Sequence, residues 1–103
     1  MNAAEDWLRS RAPNAPAHLL KTMIGALRDD GEASVPDTLA AAAVRLYSQV
    51  VDGTGGREDA LPLLAADALL THAFQAQAEL DPSTLAQFAD RWSARGKLGQ
   101  VLL

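Results

Sequence analysis

The chain has 103 residues, a mass of 10.9 kDa and no cysteine, which fits one domain and excludes disulfides, zinc-finger chemistry and thiol catalysis. Its formal charge of −4 and pI of about 4.9 argue against nucleic acid or an anionic membrane as the main partner. Alanine (21) and leucine (16) exceed a third of the chain, whereas valine, isoleucine and threonine sum to 11, so helix is favoured over sheet throughout.

The expected fold is all-α: a compact bundle of four main helices plus a short N-terminal one, in a single domain over residues 1–103. The first segment, Asn2 to Arg11, places Ala4, Trp7, Leu8 and Arg11 on one face. Pro13 ends it, because the residue before a proline is pushed out of the helical region. Asn14 is positioned to cap a second helix with Pro16 in its first turn. Leu20, Met23, Ile24 and Leu27 keep helical spacing, and Asp29, Asp30 and Gly31 close the segment.

Ser34-Val35-Pro36-Asp37 resembles a capping box with Asp in place of Glu and starts the third helix. Leu39, Ala43, Leu46 and Val50 form its inner stripe, Arg45, Ser48, Gln49 and Asp52 its wet face, and Gly53 is expected to stop it in the left-handed conformation. The fourth helix runs from about Arg57 to Glu79, with Pro62 implying a later start or a bend. It is apolar nearly all round, leaving only a line of Asp67, Thr71 and Gln75, and such a helix needs cover on all sides. Asp81-Pro82-Ser83-Thr84 starts a fifth helix, with Leu85, Phe88, Ala89 and Trp92 inward and Gly96 and Gly99 interrupting it. Leu39, Leu46, Val50, Leu64, Leu69, Phe74, Phe88 and Trp92 are expected to be buried, and Arg45, Gln49, Gln87 and Arg91 exposed.

Few residues carry chemistry. His18 and His72 lie on different helices without a carboxylate at metal spacing. Asp67 needs an ion pair with Arg45 or Arg91, or exposure along the line with Thr71 and Gln75. The stretch Asp52-Gly53-Thr54-Gly55-Gly56 hints at a phosphate cradle but lacks a following lysine and a preceding strand. Asp29, Asp30 and Glu32 read as a wet acidic turn, and Trp7 and Trp92 as core or interface anchors. The N-terminal segment carries Glu5 and Asp6 and no apolar run, and no stretch approaches the roughly 20 residues of a membrane span, so a cytoplasmic location is expected.

The run LLAADALLTHAF (Leu63 to Phe74) resembles a helix of the trans-isoprenyl diphosphate synthases, which often read VLAGDALLTLAF there. Upstream, LAAAAVRLYSQVVDG (Leu39 to Gly53) resembles the helix AAAVELIHTYSLVHDD of the same family. Downstream, RGKLGQVLL (Arg95 to Leu103) resembles the stretch ending near GMVGGQVLDL. The resemblance spans about residues 39–103. That family holds Mg²⁺ and diphosphate through two DDxxD motifs, because a hard ion bridging two phosphates needs several carboxylates. Here the first motif is reduced to Asp52, the second would fall beyond Leu103, and the basic GKRxRP stretch is missing.

The resemblance therefore implies a shortened relative without catalytic parts: no enzyme, no metal and no cofactor. Such a chain would act by association, as a homodimer or as a small partner of a full-length prenyl synthase. The alternative is a small helical carrier of a prenyl or other apolar ligand. In the family the matching helix and the next lie at the dimer interface, which places Leu63, Leu70, Phe74, Leu80, Trp92 and Leu102 on the expected interface.

Overall fold

The computed structural model describes residues 2–28, 31–93 and 96–102, without the side chain of Leu102. Six α-helices follow in order: α1 (Ala3–Arg11), α2 (Ala17–Gly25), α3 (Val35–Val51), α4 (Ala60–Leu80), α5 (Leu85–Trp92) and α6 (Lys97–Leu102). Short 3-10 turns, Arg57–Asp59 and Pro82–Thr84, lead into α4 and α5. No strand occurs among the described residues. The expected fifth helix is thus two pieces, broken between Trp92 and Lys97.

The helix starts follow from their caps. The Asn2 side chain accepts from the backbone N–H of Ala4 at 2.8 Å and of Glu5 at 3.3 Å, and Ser34 accepts from that of Asp37 at 3.2 Å. Asp81 accepts from the N–H of Ser83 at 3.0 Å. Pro62 falls in the first turn of α4, so the late start, not the bend, accommodates it. Two expected termini differ. Asn14 does not cap α2: the chain turns through Ala12 to Ala15, and Pro16 precedes the helix with no side-chain cap. Gly53 is not left-handed; that conformation falls to Gly55 (φ 77°), whose N–H reaches the Asp59 carboxylate at 2.8 Å.

Helix α2 also ends early, at Gly25. Arg45 explains how its end is satisfied. The Nε and one terminal nitrogen of Arg45 donate to the Ala26 carbonyl at 3.2 and 2.6 Å. A cation on the orphan carbonyls of a helix C-terminus is doubly favourable. Arg45 is therefore half-buried, not a residue of the wet face.

The antiparallel pair α3–α4, joined by residues 52–59, makes the most extensive contact in the molecule. Helices α1 and α6 pack on α3, and α2 and α5 on α4. The seam is built from alanine: Ala40, Ala42 and Ala43 from α3 meet Ala65, Ala66, Ala73 and Ala76 from α4, with Leu39, Leu46 and Leu69 among them. Leu8, Met23 and Phe88 bring the larger volumes from the flanking helices. The Cα radius of gyration, 13.1 Å, matches the value of about 13 Å expected for one compact domain of this length.

Of the side chains expected inside, Leu39, Leu46, Leu69 and Phe88 are buried, and Val50, Phe74 and Trp92 are half-buried. Leu64 is not buried: it is 54% exposed. Gln49, Gln87 and Arg91 are exposed as expected. Asp37 occupies the fourth position of the expected capping box, but its carboxylate turns to α5. One oxygen accepts from Arg91 and from the Trp92 indole N–H, both at 2.8 Å. This clasp fixes the last turn of α5 against the first turn of α3.

Candidate association surface

Helix α4 is built inside out. Its inward face is small, four alanines around Leu69, whereas four of its leucines point to water. Leu61 is 38% exposed, Leu63 41%, Leu64 54% and Leu80 66%. Alanines let α3 and α4 approach closely, and the close approach leaves no room for the leucines between them. Large side chains on the outer face forgo about 1.5–3 kcal/mol each of possible burial.

A hydrogen bond across the hairpin sets the register of this outer face. The Tyr47 hydroxyl donates to the Asp67 carboxylate. One turn toward the loop from Tyr47 is Val51, and one turn toward the loop from Asp67 is Leu63. Val51, 52% exposed, and Leu63, 41% exposed, therefore both stand at the loop end of the hairpin, with Leu64 next to Leu63 around α4 and Leu61 on the opposite flank of that helix. The result is an apolar patch at the loop end of the hairpin, bordered by the Tyr47–Asp67 pair.

Asp67 thus takes neither expected arginine: Arg45 binds the Ala26 carbonyl and Arg91 binds Asp37. It stands with Thr71 and Gln75 on an exposed line, and its partner is the single tyrosine, which composition alone gave no reason to single out. Partial burial and then the hydrogen bond to Asp67 push the Tyr47 phenol well above its ordinary pKa of about 10. The phenolate is disfavoured in the folded state, so this contribution to stability is present below about pH 10 and is lost as pH rises through the higher folded value. With one tyrosine in the chain, absorbance titration reads this group directly. Ionisation is expected above the free-tyrosine range, and Asp67→Asn should bring it closer to that range without reaching it. A wild-type titration at the free value would remove the Tyr47–Asp67 pair.

Of the expected interface residues, Leu63 and Leu80 are exposed at opposite ends of α4. Leu70, Phe74 and Trp92 are half-buried and pack against the core. The side chain of Leu102 lies outside the described residues, as do Asp29 and Asp30 of the acidic turn. Val51 and Leu61 join the surface although they were not expected on it, and Leu64 joins it although it was expected inside. The signal for them was the alanine stripe, which marks the inward side of both long helices.

The remaining candidates do not converge. Asp52 is an exposed residue at the C-terminus of α3. The loop that follows answers its own donors: Thr54 Oγ1 donates to Glu58 at 2.5 Å, and the Gly55 N–H goes to Asp59. The Thr54 hydroxyl holds the exposed Glu58 carboxyl below its usual range. Two carboxylates already fill the cradle that a phosphate would need. His18 is exposed, and His72 packs edge-on against Trp7, with ring centroids 5.6 Å apart and planes at 72°. Its Nδ1 lies 3.1 Å from Gln75 Oε1. Among the described residues no group of three or more His, Cys, Asp or Glu could hold a metal ion, and no polar or charged residue is buried.

No protein-family model, curated protein or solved structure matches the chain. Among the described residues no helix is long and apolar enough to cross a membrane.

Proposed function

We propose that the protein is a non-catalytic helical module that works by association, pairing with a second copy through the outer face of the α3–α4 hairpin. The observation that carries this reading is the inversion of α4, alanine inward and leucine outward, with Val51 added from α3. Clustered exposed leucines favour a protein partner, and a twofold contact is the simplest closed way to cover them. The resemblance of residues 39–103 to the prenyl synthases points to α4 and the helix after it, so it supports pairing through α4 but not the part that α3 adds, and a full-length synthase is the heteromeric partner in that version.

Light scattering at micromolar concentration is expected to give twice the 10.9 kDa chain mass. Leu64→Glu alters a side chain that the fold does not use, so the variant should keep its helical circular dichroism and become monomeric. A wild-type chain that stays monomeric at high concentration sinks the homodimer, and co-elution with a prenyl synthase then decides the heteromer.

Catalytic silence follows from the same reading. The purified chain is expected to give no condensation of isopentenyl diphosphate with an allylic diphosphate, because Asp52 is the one remnant of the aspartate-rich motifs. Product above background that disappears in Asp52→Ala would overturn this.

A further inference from the structure

We propose a second site, at the end of the bundle opposite the hairpin loop, that binds a small neutral apolar molecule. Here the C-terminus of α1, the start of α3 and the last turns of α4 leave a cleft of about 450 Å³. Trp7, Val35, Pro36, Ala76 and Leu80 form its walls. The volume lies within the range of roughly 300–1,000 Å³ of small-molecule sites, and the lining is mostly apolar, as such sites are.

The charges at the cleft decide the ligand class. Arg11 donates to both carboxylate oxygens of Glu79, at 3.0 and 2.7 Å, and its guanidinium lies 5.4 Å from the centre of the Trp7 ring. Glu79 thus already neutralises the cation, and Arg11 already neutralises the anion. The Ser34 hydroxyl accepts from the Asp37 N–H. A carboxylate or an ammonium entering the cleft would leave water without meeting an unmatched opposite charge. A neutral apolar molecule gives up little on entry and gains the Trp7 and Leu80 surfaces. Leu80, the most exposed leucine among the described residues, then has a role as one wall of this cleft.

The site does not depend on pairing: Leu63 and Leu80 are 17 residues apart on one helix, about 25 Å. The test uses three probes that share one chain and differ in charge: decanol, decanoate and decylammonium. The indole N–H signal of Trp7 in a proton–nitrogen NMR spectrum should shift saturably with decanol while that of Trp92 stays in place. Decanoate and decylammonium should bind at least about fivefold more weakly, and Leu80→Lys, at an exposed position, should weaken decanol by at least about fivefold. A Trp7 signal that does not move with decanol overturns the site. Equal binding of either ion overturns the neutral ligand class, and a Leu80→Lys variant that binds decanol as the wild type does overturns the location.

Discussion

Phe88→Ala is expected to lower the unfolding free energy by about 3–5 kcal/mol, a large share of the 5–15 kcal/mol typical of a domain. Phe88 is 1% exposed and is the largest fully buried side chain among the described residues. It anchors α5 to α4 through an edge-on contact with Phe74, centroids 5.3 Å apart and planes at 89°. The Arg91 guanidinium lies over its ring, 5.5 Å from the centroid. The alanines of the seam carry no longer side chain that could swing into the vacancy. Phe74→Ala should cost less, since Phe74 is only half-buried. Urea unfolding followed by circular dichroism measures both. A Phe88→Ala loss below about 1 kcal/mol would mean that α5 is not docked on α4 as described.

Gly96→Ala is the second large effect. A methyl group at this position would collide with the Arg91 carbonyl, and its next contact, the Asp90 carbonyl oxygen, lies at only 2.5 Å. Both are backbone atoms, so no side chain can swing away. The chain folds back tightly here: the Gly96 N–H donates to the Ser93 carbonyl at 2.9 Å, and the Gly99 N–H to the same oxygen at 3.2 Å. Adding one carbon should cost about 1–3 kcal/mol or more and loosen α6 from α3. Gly25→Ala is the matched control. Nothing lies within 4 Å of a methyl group there, so that change should be neutral or stabilising by up to about 1 kcal/mol. Equal destabilisation by the two variants would refute the close approach at Gly96.

Two helix starts were legible because they depend on a few residues and local geometry: Ser34 before Pro36, and Asp81 before Pro82, cap where their chemistry predicts, whereas Asn14 offers the same chemistry and does not cap α2. The helix ends were less so. Gly53 and Gly55 are equally good left-handed residues in sequence, and the choice between them falls to Asp59, four residues beyond Gly55. Arg45 reads as a surface residue until α2 brings the Ala26 carbonyl to it, 19 positions away in the chain. Leu64 was misplaced for a related reason. Hydrophobicity puts leucine before alanine as a core residue, but two helices choose their facing side by what allows close approach, and on α4 that is the alanine side. The candidate surface was legible only in outline: an apolar excess on α4 was visible, but which leucines carry it depended on that choice of face.

The hairpin that forms the seam also bears on the order in which the chain folds. Helices α3 and α4 are consecutive, and closing the short segment 52–59 costs little chain entropy. Contacts between neighbours in sequence form early, whereas α1 must find α3, and Arg11 must find Glu79, across a much longer stretch of chain. The exposed apolar side chains at its loop end, Val51, Leu63 and Leu64, are therefore in place as soon as the hairpin is, before the flanking helices have docked. In the proposed pairing, chains at high local concentration would meet through that face while their termini are still searching.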